Sequence, residues 1–119
     1  MPVVFMIEDD IKIVRETLAG NTKMFGLLVD KYQNAVFNLA FRMTRDASLA
    51  EDISQEAFLK AYRKLGSFDP DKKFFSWLYK IAVNEALNTL KRENEFLEYN
   101  DENNDPAEDD TAKERLNEL

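Results

Sequence analysis

Cysteine and histidine are both missing from these 119 residues. Without cysteine there is no disulfide, no zinc–thiolate site and no thiol nucleophile. Without histidine the commonest general base and metal ligand at neutral pH is gone. Only carboxylates could run acid–base chemistry, and they are dispersed along the chain. Glycine occurs three times, and no glycine-rich loop is present to cradle a phosphate. No apolar run approaches the roughly 20 residues of a membrane-spanning helix. The opening MPVVFMIEDD lacks a basic n-region and turns acidic at once, so it does not read as a signal peptide. These absences predict a soluble, cytoplasmic protein without catalytic residues, metal, cofactor or membrane insertion.

What is present is charge, unevenly spread. The net charge of −7 belongs to residues 96–119, which hold nine of the 23 acids and two of the 16 bases. Residues 1–95 carry 14 of each and are neutral. A neutral module binds nucleic acid through a local patch at best, and charge alone does not hold it there tightly. The length suits one domain. Residues 1–95 read as a helical domain, and 96–119 as an acidic appendage.

Apolar residues recur at helical spacing throughout, with no strand alternation and no internal repeat. A first helix is predicted from near Asp10 to Ala19 on Ile11, Val14 and Leu18, with Gly20 as the left-handed residue just past its end. Asn21 or Thr22 can cap a second helix, whose stripe runs through Phe25, Leu28, Val29, Tyr32, Val36, Leu39, Ala40 and Met43 to about Thr44. Ser48 and Glu51 fit a capping box opening a third. It buries Leu49, Ala50, Ile53, Ala57, Ala61 and Leu65, and Gly66 ends it. The other face of that helix carries Asp52, Gln55, Glu56, Leu59 and Arg63, an apolar centre with a charged rim, as in a small protein interface. Single exposed leucines are common, however, and that base rate alone favours an ordinary solvated face.

After a turn at Ser67–Lys73, made aromatic by Phe68 and the adjoining Phe74 and Phe75, the stretch Phe74 to Arg92 reads as a helix with two faces. Phe75, Leu78, Tyr79, Ala82, Val83, Ala86, Leu87 and Leu90 make an apolar arc. Trp77, Lys80, Asn84, Asn88 and Lys91 line the opposite side. Indole can stack on a base, amides can read base edges and lysines neutralise phosphates. Alternatively, Trp77 tucks under a neighbouring loop and the rest is polar exterior. Beyond Glu95, the segment Glu98–Asp110 has no apolar periodicity, which predicts a flexible acidic linker. Thr111–Leu119 could begin another helix. The predicted fold is all-α, a compact bundle of three to four helices with an acidic C-terminal tail.

Two long motifs at the right separation give the chain a family likeness. Asp52-Ile-x-Gln55-Glu56-x-Phe58 and Phe74-x-x-Trp77-Leu78-Tyr79-x-Ile81-Ala82-x-Asn84 resemble the second conserved region of bacterial sigma factors, in particular the extracytoplasmic-function (ECF) group. The likeness runs from about Ile11 to Arg92. It implies a domain that binds core RNA polymerase and recognises and melts the minus-ten promoter element. Asp52, Gln55, Glu56, Leu59 and Arg63 match positions that dock on a coiled coil of the polymerase β′ subunit, which reverses the preference for a solvated face. The turn, with Ser67, Phe68, Asp69, Lys72 and Lys73, matches the pocket that holds a flipped non-template base. Phe74, Trp77, Lys80, Asn84, Asn88 and Lys91 match the helix that meets promoter DNA where the duplex first separates. Opening a base step costs a few kcal/mol, which pocket contacts must offset. An anti-sigma factor is a further expected partner.

Complete members of the family continue into a second helical domain for the minus-35 element. The chain therefore reads as a fragment or a truncated member. Two other classes of function fit the sequence less well. A helical adaptor that binds only protein lacks a use for the amide–lysine stripe. A carboxylate-bridged metal bundle needs paired Glu-x-x-His motifs, which a chain without histidine cannot supply.

Overall fold

A computed structural model of the chain describes residues 3–100, with side chains from Asp9 to Tyr99. Of the predicted acidic linker Glu98–Asp110, residues 98–100 belong to the last helix; residues 101–119, with the helix predicted at Thr111–Leu119, lie outside the described residues. Within them the secondary structure is helical: α1 (Val3–Leu18), α2 (Phe25–Thr44), α3 (Ala47–Arg63) and α4 (Phe74–Asn100), with single 3-10 turns at Thr22–Met24 and Leu65–Ser67. The predicted all-α bundle is the fold observed. Among the described residues no helix is long and apolar enough to cross a membrane.

Local chemistry explains where the helices begin and end. Gly20 has φ +117°, the left-handed turn expected after α1. Asn21 makes no side-chain cap, because the 3-10 turn at Thr22–Met24 stands between it and α2. The α2 terminus falls at Thr44 as predicted, closed by Arg45 at φ 57°, whose N–H donates to the Phe41 carbonyl at 2.7 Å. Thr44, fully buried, donates its hydroxyl to the Ala40 carbonyl at 2.9 Å. The predicted capping box of α3 is not formed. Asp46 is the cap, accepting the Leu49 N–H at 3.1 Å, and Ser48 lies inside the first turn. A carboxylate already extended two residues upstream satisfies the orphan amide first.

The core explains the spacing. On α3, Ala50, Ala57 and Ala61 are fully buried, and so are Ala82 and Ala86 on α4. Small side chains let the two axes approach, while Ile53, Leu78, Leu28 and Met43 fill the space between. Leu49, expected inside, is only half-buried. The α1 stripe is also rotated. Asp10, Val14 and Thr17 point inward, whereas Leu18 is exposed. Asp10 is inside because it is paired: Lys31 donates to one carboxylate oxygen at 2.7 Å, and the Tyr32 hydroxyl donates to the other. Burial, then the hydrogen bond to Asp10 and its charge, pushes the Tyr32 hydroxyl well above the ordinary tyrosine range.

The apolar arc of α4 is likewise turned from its predicted centre. Phe74, Leu78, Ala82, Glu85, Ala86 and Leu90 are buried; Tyr79 and Leu87, expected within the arc, are exposed. The rotation brings Phe74 into the core beneath the preceding turn and carries Glu85 inward to meet Lys60 of α3. The helix also continues past Arg92, across the boundary drawn at residue 95, as far as Asn100. Nothing between Arg92 and Asn100 breaks it, since that stretch has neither glycine nor proline.

Candidate functional site

The turn between α3 and α4 is anchored by rings. Phe68 inserts edge-on against Phe74, 5.5 Å between centroids, and lies 5.3 Å from the Trp77 ring. Phe74 and Trp77 are 5.7 Å apart, so the three side chains form one cluster. Tyr32 extends it, stacked on Phe75 at 5.0 Å. Phe68 is 7% exposed and Phe74 2%. These two rings have no free face for a base, so among the residues matched to DNA contact they hold the turn in shape. Trp77 is half-buried on that cluster, as the alternative of a tryptophan under a loop supposed. The remainder of the turn is exposed. Ser67 donates its hydroxyl to the Lys64 carbonyl at 2.6 Å, and Asp69 accepts the Asp71 N–H at 2.9 Å. Lys72 and Lys73 project to solvent.

Lys80, Asn84, Asn88 and Lys91 are all exposed along one side of α4. Their edge nearest α3 is not flat. A cleft of about 330 Å³ runs there, lined by Lys60 and Lys64 of the α3 end and by Ile81, Asn84, Glu85, Leu87 and Asn88 of α4. Lys60 and Lys64 were not singled out from the sequence. Their i, i+4 spacing was visible, but which helix they would face depends on how α3 docks on α4. The cleft therefore joins two amides and two ammonium groups around one buried carboxylate. Glu85, 4% exposed, pairs with Lys60 and lies 3.5 Å from the Arg92 guanidinium.

The second surface is on the other flank of α3. Asp52, Gln55, Leu59 and Arg63 are exposed; Glu56 is half-buried and 3.8 Å from Arg63. Gln55 reaches Glu51 at 3.5 Å. Leu59 is 48% exposed. It is no isolated leucine, because it borders a groove of about 460 Å³ between α2 and α3 whose walls include Phe25, Val29, Phe58 and Tyr62. Phe25 and Tyr62 meet edge to face at 5.2 Å across it. The sequence assigned Phe25 and Val29 to the core and left Tyr62 at the margin. All three face both ways, which periodicity on a single helix does not reveal.

Comparison with known proteins places this architecture. A profile of the family described as Sigma-70 region 2 matches residues 28–96. The chain belongs to the sigma-70 family, as an ECF-type member. It is 47% identical over 83 residues to the RNA polymerase sigma-H factor of Pseudomonas aeruginosa, covering 70% of this chain and 43% of that protein. It is 46% identical over 78 residues to the ECF RNA polymerase sigma-E factor of Escherichia coli, covering 66% and 40%. The chain thus spans about two fifths of the length of these relatives. Among solved structures, an engineered region 2 of sigmaE in complex with GTAAAA is similar at a TM-score of 0.69 and 45% identity, over 75% of this chain and 93% of that one. CnrH, solved with the cytosolic domain of CnrY, is similar at 0.62 and 29%, over 66% and 51%. The region 2 match takes in α3, the turn and most of α4, the elements that build both surfaces.

Proposed function

We propose that this sigma region 2 docks on core RNA polymerase through the Leu59 face and selects and opens the minus-ten promoter element through the turn and the α3–α4 cleft, without catalysis of its own. One observation carries the reading. Over 75% of its length the chain is similar to a region 2 solved with GTAAAA, and its own exposed stripe on α4 presents amides and lysines. Asn84 and Asn88 offer groups that read base edges, Lys80 and Lys91 neutralise phosphates, and Lys60 and Lys64 extend the cationic side. The turn at Ser67–Lys73 holds the flipped non-template base through exposed backbone, Ser67, Asp69 and the two lysines. Phe68 and Phe74 serve from beneath as its support. Trp77, with part of its ring open, closes the upstream side.

On the opposite flank, the groove takes an apolar side chain of the β′ coiled coil beside Leu59, while Asp52, Gln55, Glu56 and Arg63 set its register through polar contacts at the rim. A neutral helical module needs such an anchor, since polymerase then supplies most of the affinity for DNA and this domain the choice of site. An anti-sigma factor would act by covering the same face; the similarity to CnrH solved with another protein's domain supports a protein partner of this kind.

The test separates opening from docking. With core polymerase present, Asn84→Ala is expected to lower permanganate reactivity of the promoter about tenfold, the loss of one good polar base contact. Retention of core polymerase should be unchanged. Equal loss of both would make Asn84 structural, and no reactivity with the unaltered protein would leave an adaptor that binds only polymerase.

A further inference from the structure

Glu85 is an unexpected residue to find beside a nucleic-acid cleft. It is the one acid lining it, it is 4% exposed, and it lies next to Asn84 in sequence. Its two oxygens are used differently. One pairs with Lys60, whose side chain is 34% exposed; the other faces Arg92, 66% exposed, at 3.5 Å. A carboxylate that bridges a lysine and an arginine presents those cations with the charge and oxygen geometry of a phosphate. Arg92 is further held by donating to the Thr89 hydroxyl at 3.2 Å. Lys60, paired in this way, lines the cleft beside Asn84 and Asn88.

We infer that Glu85 is an internal stand-in for a backbone phosphate, occupying Lys60 and Arg92 until DNA exchanges for it, and so limits the affinity of the domain for single strands. The inference rests on the cleft being the DNA surface, as proposed above. The reason lies in the charge inventory. Each phosphate neutralised by a cation releases counterions and adds to affinity irrespective of sequence. A cation already neutralised by a buried carboxylate contributes less, because the exchange must leave Glu85 unpaired or shared, and an unpaired buried carboxylate is costly. Non-specific attraction is thereby reduced at the site where Asn84 and Asn88 read bases. Glu85 is in this sense a determinant of selectivity that touches no base. A purely structural clamp between α3 and α4 would have the same geometry, but no effect on the salt dependence of DNA binding.

The experiment measures binding of end-labelled GTAAAA and of an all-thymine hexamer by fluorescence anisotropy across a salt series. The proteins are the unaltered chain, Glu85→Gln, Lys60→Ala and Lys64→Ala. Glu85→Gln is expected to bind both oligonucleotides about 3- to 10-fold more tightly at low salt, with a log–log salt slope steeper by about 0.7, one further phosphate on a single strand. Lys60→Ala and Lys64→Ala should each weaken binding. If the lysine variants bind unchanged, the cleft is not the DNA surface and the proposed function is what fails. If they weaken binding while Glu85→Gln binds no tighter at an unchanged slope, the role of Glu85 is overturned on its own. A gain confined to GTAAAA would also overturn it, making Glu85 a base-reading residue. Should Glu85→Gln not fold, the 13C shift of the Glu85 carboxyl in the unaltered chain decides: movement on saturation with DNA supports the exchange, and constancy refutes it.

Discussion

The two flanks of α3 are built from opposite materials, although Leu59 and Lys60 are neighbours in sequence and only about 100° apart on the helix. Toward α2, aromatic and aliphatic walls surround a groove, and its charges stand at the edge in opposed pairs such as Glu56 and Arg63. Toward α4, ammonium groups and amides surround a cleft whose one acid is buried and engaged. The first arrangement suits an apolar knob from a folded partner. The second suits a polyanion with readable edges. One helix can present both because its alanines, Ala50, Ala57 and Ala61, bury the face that lies between the two flanks. On the proposed assignment, the difference between protein contact and nucleic-acid contact is a matter of rotation about a shared axis.

That contrast can be broken most severely from below. Phe74 supports the turn and the start of α4 together, and Phe74→Ala should cost about 3–5 kcal/mol of stability. Chemical denaturation would read this as a lower midpoint, with both binding functions lost in step. Leu59→Asp should separate the flanks. Retention of core polymerase in a pull-down is expected to fall about 10- to 100-fold, as for a central anchor residue. Circular dichroism and binding of GTAAAA should stay as they were. A parallel fall in DNA binding would mean that the flanks are coupled. The smallest effect belongs to neither. The Tyr32 hydroxyl, raised by burial and by Asp10, keeps its proton in the folded state above the ordinary value of 10.0. Its contribution is fully present below pH 10 and is lost as pH climbs toward the folded value, because only the unfolded chain releases the proton there. Thermal melts should therefore fall away above about pH 10. In Tyr32→Phe that slope should flatten, at a cost of about 1 kcal/mol at neutral pH for the lost hydrogen bond, with polymerase and DNA binding unaltered.

Much of the helical order was legible because periodicity and breakers are local properties. Gly20, Thr44 and Phe74 mark true boundaries. What escaped was rotation. The α1 stripe of Ile11, Val14 and Leu18 keeps Val14 inside, but the buried pair of Asp10 with Lys31 and Tyr32 turns it, and no hydropathy pattern scores an acid as core. The same holds for Glu85 on α4. Polar residues satisfied across an interface are invisible until the interface exists. The candidate contacts divide along the same line. Leu59, Lys80, Asn84, Asn88 and Lys91 are exposed, whereas Phe68 and Phe74 became supports because their rings found one another across the turn. Tyr62, Lys60 and Lys64 gain meaning only from the neighbouring helix.

The run of α4 beyond Leu90, the last core residue it contributes, acts as a boom. At about 1.5 Å per residue it extends the helix some 15 Å past that residue, to Asn100. The point at which the helix ends is therefore set by helical phase. Adding one residue between Glu93 and Asn100 would swing that departure point by about 100° around the axis while leaving the groove, the turn and the cleft where they are.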